Sequence, residues 1–269
     1  MTDTIEVRVI TTLRELAAED WDALGEPHNP FIEHAFLRTL KVSGSVGPGC
    51  GWEPAYVVAH RGGKLVGALP SYVKTDSYGE YIFDWSWANA AHRAGLGYYP
   101  KLTVGVPFTP ATGPRLLVHP DEDTIVIRAA LIRGLDALRV DVRASGMHVL
   151  FCREDEAEFL EDAEFARRAT HQYHWRNDGY ENFDAFLETL RSSGRKMIRK
   201  ERRRVEQSGV RVELRAGKDV EPELTRRLYK LYTSTIDRKW GSPYFTPRFF
   251  EMLTEELGHS ALVGLAWLG

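Results

Sequence analysis

At 269 residues the chain exceeds the usual length of one domain, which predicts two folded units. Its 43% hydrophobic and 27% charged residues are the proportions of an ordinary globular protein and exclude a disordered chain, while a net charge of -3 excludes a uniformly basic nucleic-acid coat protein. No apolar run is long enough to span a bilayer, and the opening MTDTIEVRVI lacks the basic patch and apolar core of a secretion signal, so the cytoplasm is the expected location. Cys50 and Cys152 stand far apart and without metal-ligand spacing, so free thiols are expected rather than a disulfide or a zinc site.

The alternation of Ile5, Val7 and Val9 predicts a strand, and the apolar spacing over Leu13–Leu24 and Phe31–Leu40 predicts two helices. Glycines and Pro48 make Ser43–Gly51 a loop. Trp52–Ala59 and Lys64–Lys74 are apolar stretches joined by Arg61-Gly62-Gly63-Lys64, the pattern of a β-hairpin. In Gly79–Trp87, the alternation of Tyr81, Phe83 and Trp85 with Glu80, Asp84 and Ser86 predicts a third strand, followed by a short helix over Ala88–Ala94 and a strand over Lys101–Val106. The long helix is expected within Asp121–Ala144, with Ile125, Ala129, Ile132, Leu135, Leu138 and Val142 inward and acids at its start. A strand over Met147–Cys152, a helix over EDEAEFLED and a strand over Phe165–Trp175 complete a mixed α/β (α+β) first half.

The second half, from residue 176 to 269, begins with the apolar stripe Phe183, Phe186, Leu187 and Leu190. Gly194 marks a break, and a cationic helix then runs to Gly209, with Arg191, Arg195, Arg199 and Arg203 recurring every four residues along one face. Like charges at that spacing repel, which calls for acidic partners elsewhere in the chain, a nucleotide phosphate or tRNA. A strand in VRVEL, helices over Glu221–Ile236 and Thr246–Leu257 and a terminal apolar strand follow, leaving a sheet edge that could pair with another copy or partner.

The phrases Gly79-Glu80-Tyr81-Ile82-Phe83-Asp84, Tyr98-Tyr99-Pro100-Lys101-Leu102, Val106-Pro107-Phe108-Thr109-Pro110, His174-Trp175-Arg176-Asn177 and Arg195-Lys196-Met197-Ile198-Arg199-Lys200-Glu201-Arg202, in this order, resemble the FemAB-like family of peptidoglycan biosynthesis or recognition proteins. The resemblance runs from about Trp21 to the end. It implies tandem GNAT-type domains, here 1–175 and 176–269, an N-acyltransferase activity, and acyl-CoA or aminoacyl-tRNA as co-substrate with no tightly bound cofactor. It also implies a small-molecule or peptidoglycan-precursor acceptor. Family members continue further, so the second GNAT unit is expected to be incomplete; a non-catalytic module binding a peptidoglycan precursor or tRNA is the competing expectation.

N-acyl transfer needs a proton acceptor for the amine and donors that polarise the carbonyl. Glu80 and Asp84, four residues apart on the expected strand, would share a face and are the candidate bases; the same residues could simply pair with Lys74, Lys101 or Arg115. Tyr98 and Tyr99 are candidate proton donors, with Tyr99 favoured. Lys74, Lys101 and Arg115 are expected to hold anionic groups, as are Arg195 and Arg199, and His174, Trp175 and Asn177 at the junction are expected to orient substrate. His92-Arg93-Ala94-Gly95-Leu96-Gly97 is a weak match to a CoA pyrophosphate loop, which places the donor site in the second half.

Overall fold

In a computed structural model, residues 4–25, 29–239 and 241–268 are described. The first half is built on two four-stranded sheets that share one long hairpin. Strands β1 (Ile5–Ile10), β3 (Tyr56–Arg61), β4 (Lys64–Leu69) and β7 (Leu117–Val118) form an antiparallel sheet in the order β1-β3-β4-β7. Strands β2 (Trp52–Pro54), β5 (Ser71–Lys74), β6 (Lys101–Val104) and β8 (Met147–Val149) form the second in that order, with β6 and β8 parallel. The expected hairpin is present, but Ala55 and Pro70 interrupt its arms. Below the interruptions the same chain segments pair as β2 and β5 in the other sheet.

Strand periodicity divides the core. Tyr56 and Val58 face one apolar cluster with Trp21, Leu37 and Leu40, whereas Val57 and Ala59 face another with Leu102, Val104, Ile127 and Leu131. Helices α1 (Ala18–Asp22) and α2 (His34–Val42) cover the first cluster, so the single helix expected over Leu13–Leu24 is a 3-10 turn at Leu13–Glu15 followed by the short α1. Helix α4 (Thr124–Asp141) covers the second; α3 is Trp85–Arg93 and α5 is Glu154–Asp162. Asp123 caps α4 by accepting from the amides of Ile125 and Val126. Its buried face is Ile127, Ala130, Leu131, Leu135 and Leu138, and Ile125 is exposed, a rotation from the expected stripe. The helix is apolar on two sides near its start, and Gly134 selects between them: a Cβ there would lie 2.4 Å from Val7 Cγ1, so only a glycine face reaches the sheet this closely.

Two expected strands are absent. Gly79–Trp87 is an irregular turn leading into α3, with Tyr81 and Phe83 at φ 60° and 50°, and Phe165–Trp175 is an exposed segment without strand pairing. In the second half, helices α6 (Phe183–Glu188) and α7 (Ser192–Gln207) meet at Arg191, so Gly194 lies inside α7 rather than breaking it. Strands β9 (Val210–Ala216) and β10 (Leu262–Leu268) form an antiparallel pair, backed by α8 (Pro222–Asp237) through a small cluster of Val220, Leu224 and Leu265. Helix α9 (Pro247–Glu255) packs elsewhere. Phe249 and Leu257 belong to the first-half cluster around Trp21, and Thr246 caps α9 while donating its hydroxyl to Ser43 O at 2.8 Å. The chain from 244 to 257 thus ties the second half onto the first.

Candidate functional site

The residues that carry chemistry gather on one face of the second sheet. Lys101 opens β6 and shares its face with Thr103 two residues on; register places Lys74 opposite Lys101, Trp52 opposite Lys74, and His148 opposite Thr103. Two lysines directly opposed on a buried face repel unless acids meet them. The turn between β5 and α3 supplies those acids. Glu80 accepts from Lys101 Nζ at 2.8 Å and from Thr103 Oγ1 at 3.3 Å, and Asp84 Oδ2 accepts from Lys101 Nζ at 2.6 Å and from Tyr98 OH at 2.6 Å. Lys101 also donates to Ser77 Oγ, which lies 2.7 Å from Tyr99 OH. Lys74 is held separately, its Nζ 4.1 Å over the Trp52 ring and bonded to Asp76 and to Tyr78 O. Lys74, Glu80, Asp84 and Lys101 are all 2% exposed or less.

Glu80 and Asp84 therefore meet the same lysine without lying on a strand. Gly79, at φ +75°, makes the turn possible: a Cβ would lie 2.5 Å from the Phe108 ring, and Gly79 O accepts from Phe108 N. The left-handed backbone at Tyr81 and Phe83 costs on the order of 1 kcal/mol or more each, and the carboxylates buried on either side of them hold it in place.

The cluster separates its titrations. Burial raises the Glu80 carboxyl above its ordinary value despite Lys101. Burial acts on Asp84 in the same sense, but hydrogen bonds from Lys101, Ser77 and Tyr98 outweigh it and hold this carboxyl down at about 2. Tyr98 is pushed up by burial and by donating to the Asp84 carboxylate, and Tyr99 by burial. Burial lowers Lys74 to about 8, and burial with the nearby Lys101 charge lowers His148 to about 4, leaving a neutral imidazole edge-on to the Tyr98 ring at 6.1 Å. Asp84 Oδ1 is buried and has no hydrogen-bond partner, an open acceptor beside a paired one.

Other expected site residues lie apart. Arg115 is buried and its guanidinium donates to the carbonyls of Leu150, Pro114 and Ala111, so here it ties the loop together rather than standing open to an anion. Lys101 is likewise engaged by two carboxylates rather than offered to an anion. His174 meets Gln172, Trp175 packs on Tyr180 and Phe186, and Asn177 closes a turn onto the amides of Gly179 and Tyr180, all on an exposed segment. On α7, Arg195 donates to Glu188 O and Leu190 O at the end of α6, Arg199 pairs with Asp184 at 2.9 Å, and Arg202 lies 4.2 Å over the Phe183 ring. Arg199 and Arg202, with Arg203, border a groove of about 310 Å³ between α6 and α7 that Asp184 and Glu206 also line. His92–Gly97 spans the C-terminal end of α3 instead of preceding a helix, so its amides form no helix N-terminus.

Ser77, Thr103 and His148 escaped the sequence reading. Thr103 was accessible through its two-residue spacing from Lys101, and His148 as the imidazole inside an apolar strand; Ser77 carries no sequence signal. Among the described residues no group of three or more His, Cys, Asp or Glu side chains is placed to hold a metal ion, and no helix is long and apolar enough to cross a membrane.

A mixed α/β chain with a buried acid–lysine cluster, flanked by two half-buried tyrosines, on one face of its internal strands is the class that fold and site define. Residues 12–268 match the model of the FemAB-like family, described as peptidoglycan biosynthesis/recognition, and the chain belongs to that family. No curated protein matches it. Among solved structures, the crystal structure of a ribosomal-protein-alanine N-acetyltransferase from Brucella melitensis biovar Abortus 2308 is similar at 15% identity and a TM-score of 0.39, over 65% of this chain and 100% of that one; so distant a likeness carries no argument.

Proposed function

We propose that the chain is an N-acyltransferase of GNAT type that moves an acyl or aminoacyl group onto an amine of a peptidoglycan precursor. Family membership over residues 12–268 supports the class, and the observation that carries the site is the pairing of two unlike carboxylates on Lys101. Asp84 stays ionised at neutral pH; because it and Glu80 are closed off from solvent in the state described, the turn over residues 77–84 opens to admit the acceptor amine to the unpartnered Asp84 Oδ1. Glu80, with a raised affinity for protons, takes the proton released as the amine nitrogen bonds to the donor carbonyl carbon. The carbon–sulfur or carbon–oxygen bond of the donor breaks, and Tyr99 protonates the leaving thiolate or alkoxide. The donor is acyl-CoA or aminoacyl-tRNA, and Arg199, Arg202 and Arg203 along the α6–α7 groove meet its phosphates. The reading takes 1–175 and 176–269 as two GNAT-like units.

The test is transfer by purified protein across a panel of acyl-CoAs and aminoacyl-tRNAs with a nucleotide-linked muropeptide as acceptor. Glu80→Gln is expected to lower kcat by about 10²–10⁴ with little change in KM. The wild-type rate is expected to rise with pH along a limb that starts above the ordinary carboxylate range, because the base must be deprotonated. Absence of both transfer and donor binding would overturn the proposal; donor binding without transfer would leave a binding module that uses the α7 cations.

A further inference from the structure

Helix α3 and the turns beside it expose far more apolar surface than any packing role requires. No residue of α3 is buried, and Tyr78, Phe83, Trp85, Trp87 and Leu96 are 61%, 65%, 46%, 56% and 66% exposed. Three of these rings form a continuous shelf, Tyr78 and Phe83 lying 6.0 and 5.8 Å from Trp85, while Trp87 is exposed on the other side of α3. A contiguous apolar patch of this kind marks a contact surface.

Its charge identifies the contact. The acids within 77–97 are Glu80 and Asp84, both inaccessible to solvent and paired with Lys101, while Asp76 just before them is tied to Lys74. The exposed basic side chains of the same stretch are His92 and Arg93, and Arg168 lies 5.4 Å over the Trp87 ring from the neighbouring segment. The shelf is therefore aromatic with a cationic rim, on a chain whose net charge is -3. Tryptophan and tyrosine beside arginine are the side chains that partition to the headgroup level of a bilayer, and the rim complements an anionic surface. The buried Glu80–Lys101–Asp84 contacts fix the base of the shelf, so the rings are presented outward without a folding cost at the moment of contact.

We propose that this face docks the protein onto an anionic lipid surface, lying on the membrane without crossing it. The argument is independent of the transferase reading, and the readout below needs no catalysis.

The experiment is co-sedimentation of the full chain with vesicles of phosphatidylcholine alone and of phosphatidylcholine with phosphatidylglycerol. Binding is expected to the anionic vesicles, weakening with salt, and to be lost in Trp85→Ser/Trp87→Ser. Arg93→Gln/Arg168→Gln should weaken it about twenty-five-fold, roughly fivefold for each cation removed near the surface. Circular dichroism checks that each variant is folded; because the substituted side chains are exposed, the arginine pair keeps the proposal testable if the tryptophan pair does not fold. Equal binding to both vesicle types, no binding, or loss of binding on Arg195→Ala/Arg199→Ala/Arg203→Ala with the α3 variants unaffected would each overturn it.

Discussion

The Lys101 cluster and helix α7 both concentrate charge, and they dispose of it in opposite ways. At Lys101 one ammonium is sealed from water between two carboxylates, with Ser77 and Thr103 completing the hydrogen bonds. On α7, which has no buried residue, Arg199 pairs with an Asp184 that is itself largely in solvent, and Arg202 rests on a ring. Removing a partner from the first leaves an uncompensated charge in a poorly polarisable interior; removing one from the second leaves a hydrated ion. The local sequence of α7 looks far more charged than that of β6, yet the single lysine of β6 has the greater structural consequence.

The sharpest way to break this contrast is Lys101→Met, which strands Glu80 and Asp84 together. It is expected to cost about 3–5 kcal/mol in chemical denaturation at neutral pH. Part of that loss should return as the pH is lowered, since the two carboxyls would then fold more readily protonated. A cost below about 1 kcal/mol would show that the cluster does not behave as a sealed site.

Asp84 sharpens the comparison through pH. Its folded pKa, about 2, lies below the ordinary 3.8, so its contribution is present above the unfolded value and is lost as pH falls through the folded one. The wild type is expected to lose on the order of 2 kcal/mol from this group between about pH 4 and pH 2, and Asp84→Asn should flatten that part of the acid denaturation curve. Burial raises Glu80, so its contribution is present below the unfolded value of 4.5 and is lost as pH rises through the folded one; Glu80→Gln should alter the stability profile above that value and leave the slope of the Asp84 limb unchanged.

The smallest effect belongs to α7. Arg199→Ala removes an ion pair whose side chains are 51% and 74% exposed, and it should change stability by less than about 0.5 kcal/mol, less still at high salt. Thermal melts at two ionic strengths check this. A loss approaching that of Lys101→Met would mean that α7 is a packed element and not a solvated face.

Much of this architecture was legible in the chain. Strands β1, β3, β4 and β6, the two-glycine turn at Gly62-Gly63, the acids at the start of α4, the Thr246-Pro247 start of α9 and the helices α5, α8 and α9 follow from periodicity and helix-terminal residues. Glu80, Asp84, Tyr99 and Lys101 were legible as a set, and the structure brings them together. The path was misread, because the alternation over 80–86 mimics a strand, whereas buried ion pairs and left-handed residues bend it into a turn.

The sequence by itself determined most of the helical and extended segments, which residues are apolar enough to enter a core, and where acids, tyrosines and lysines are available, because those properties depend on neighbours within a few positions. Tertiary structure decided that Arg115 is consumed by main-chain carbonyls, that Ser77, Thr103 and His148 join the cluster, that α4 turns its Gly134 face inward, and that Phe249 of the second half completes the first core. Those outcomes depend on which surfaces meet across the sheet and on what water can no longer reach, and neither is written in the spacing of residues along the chain.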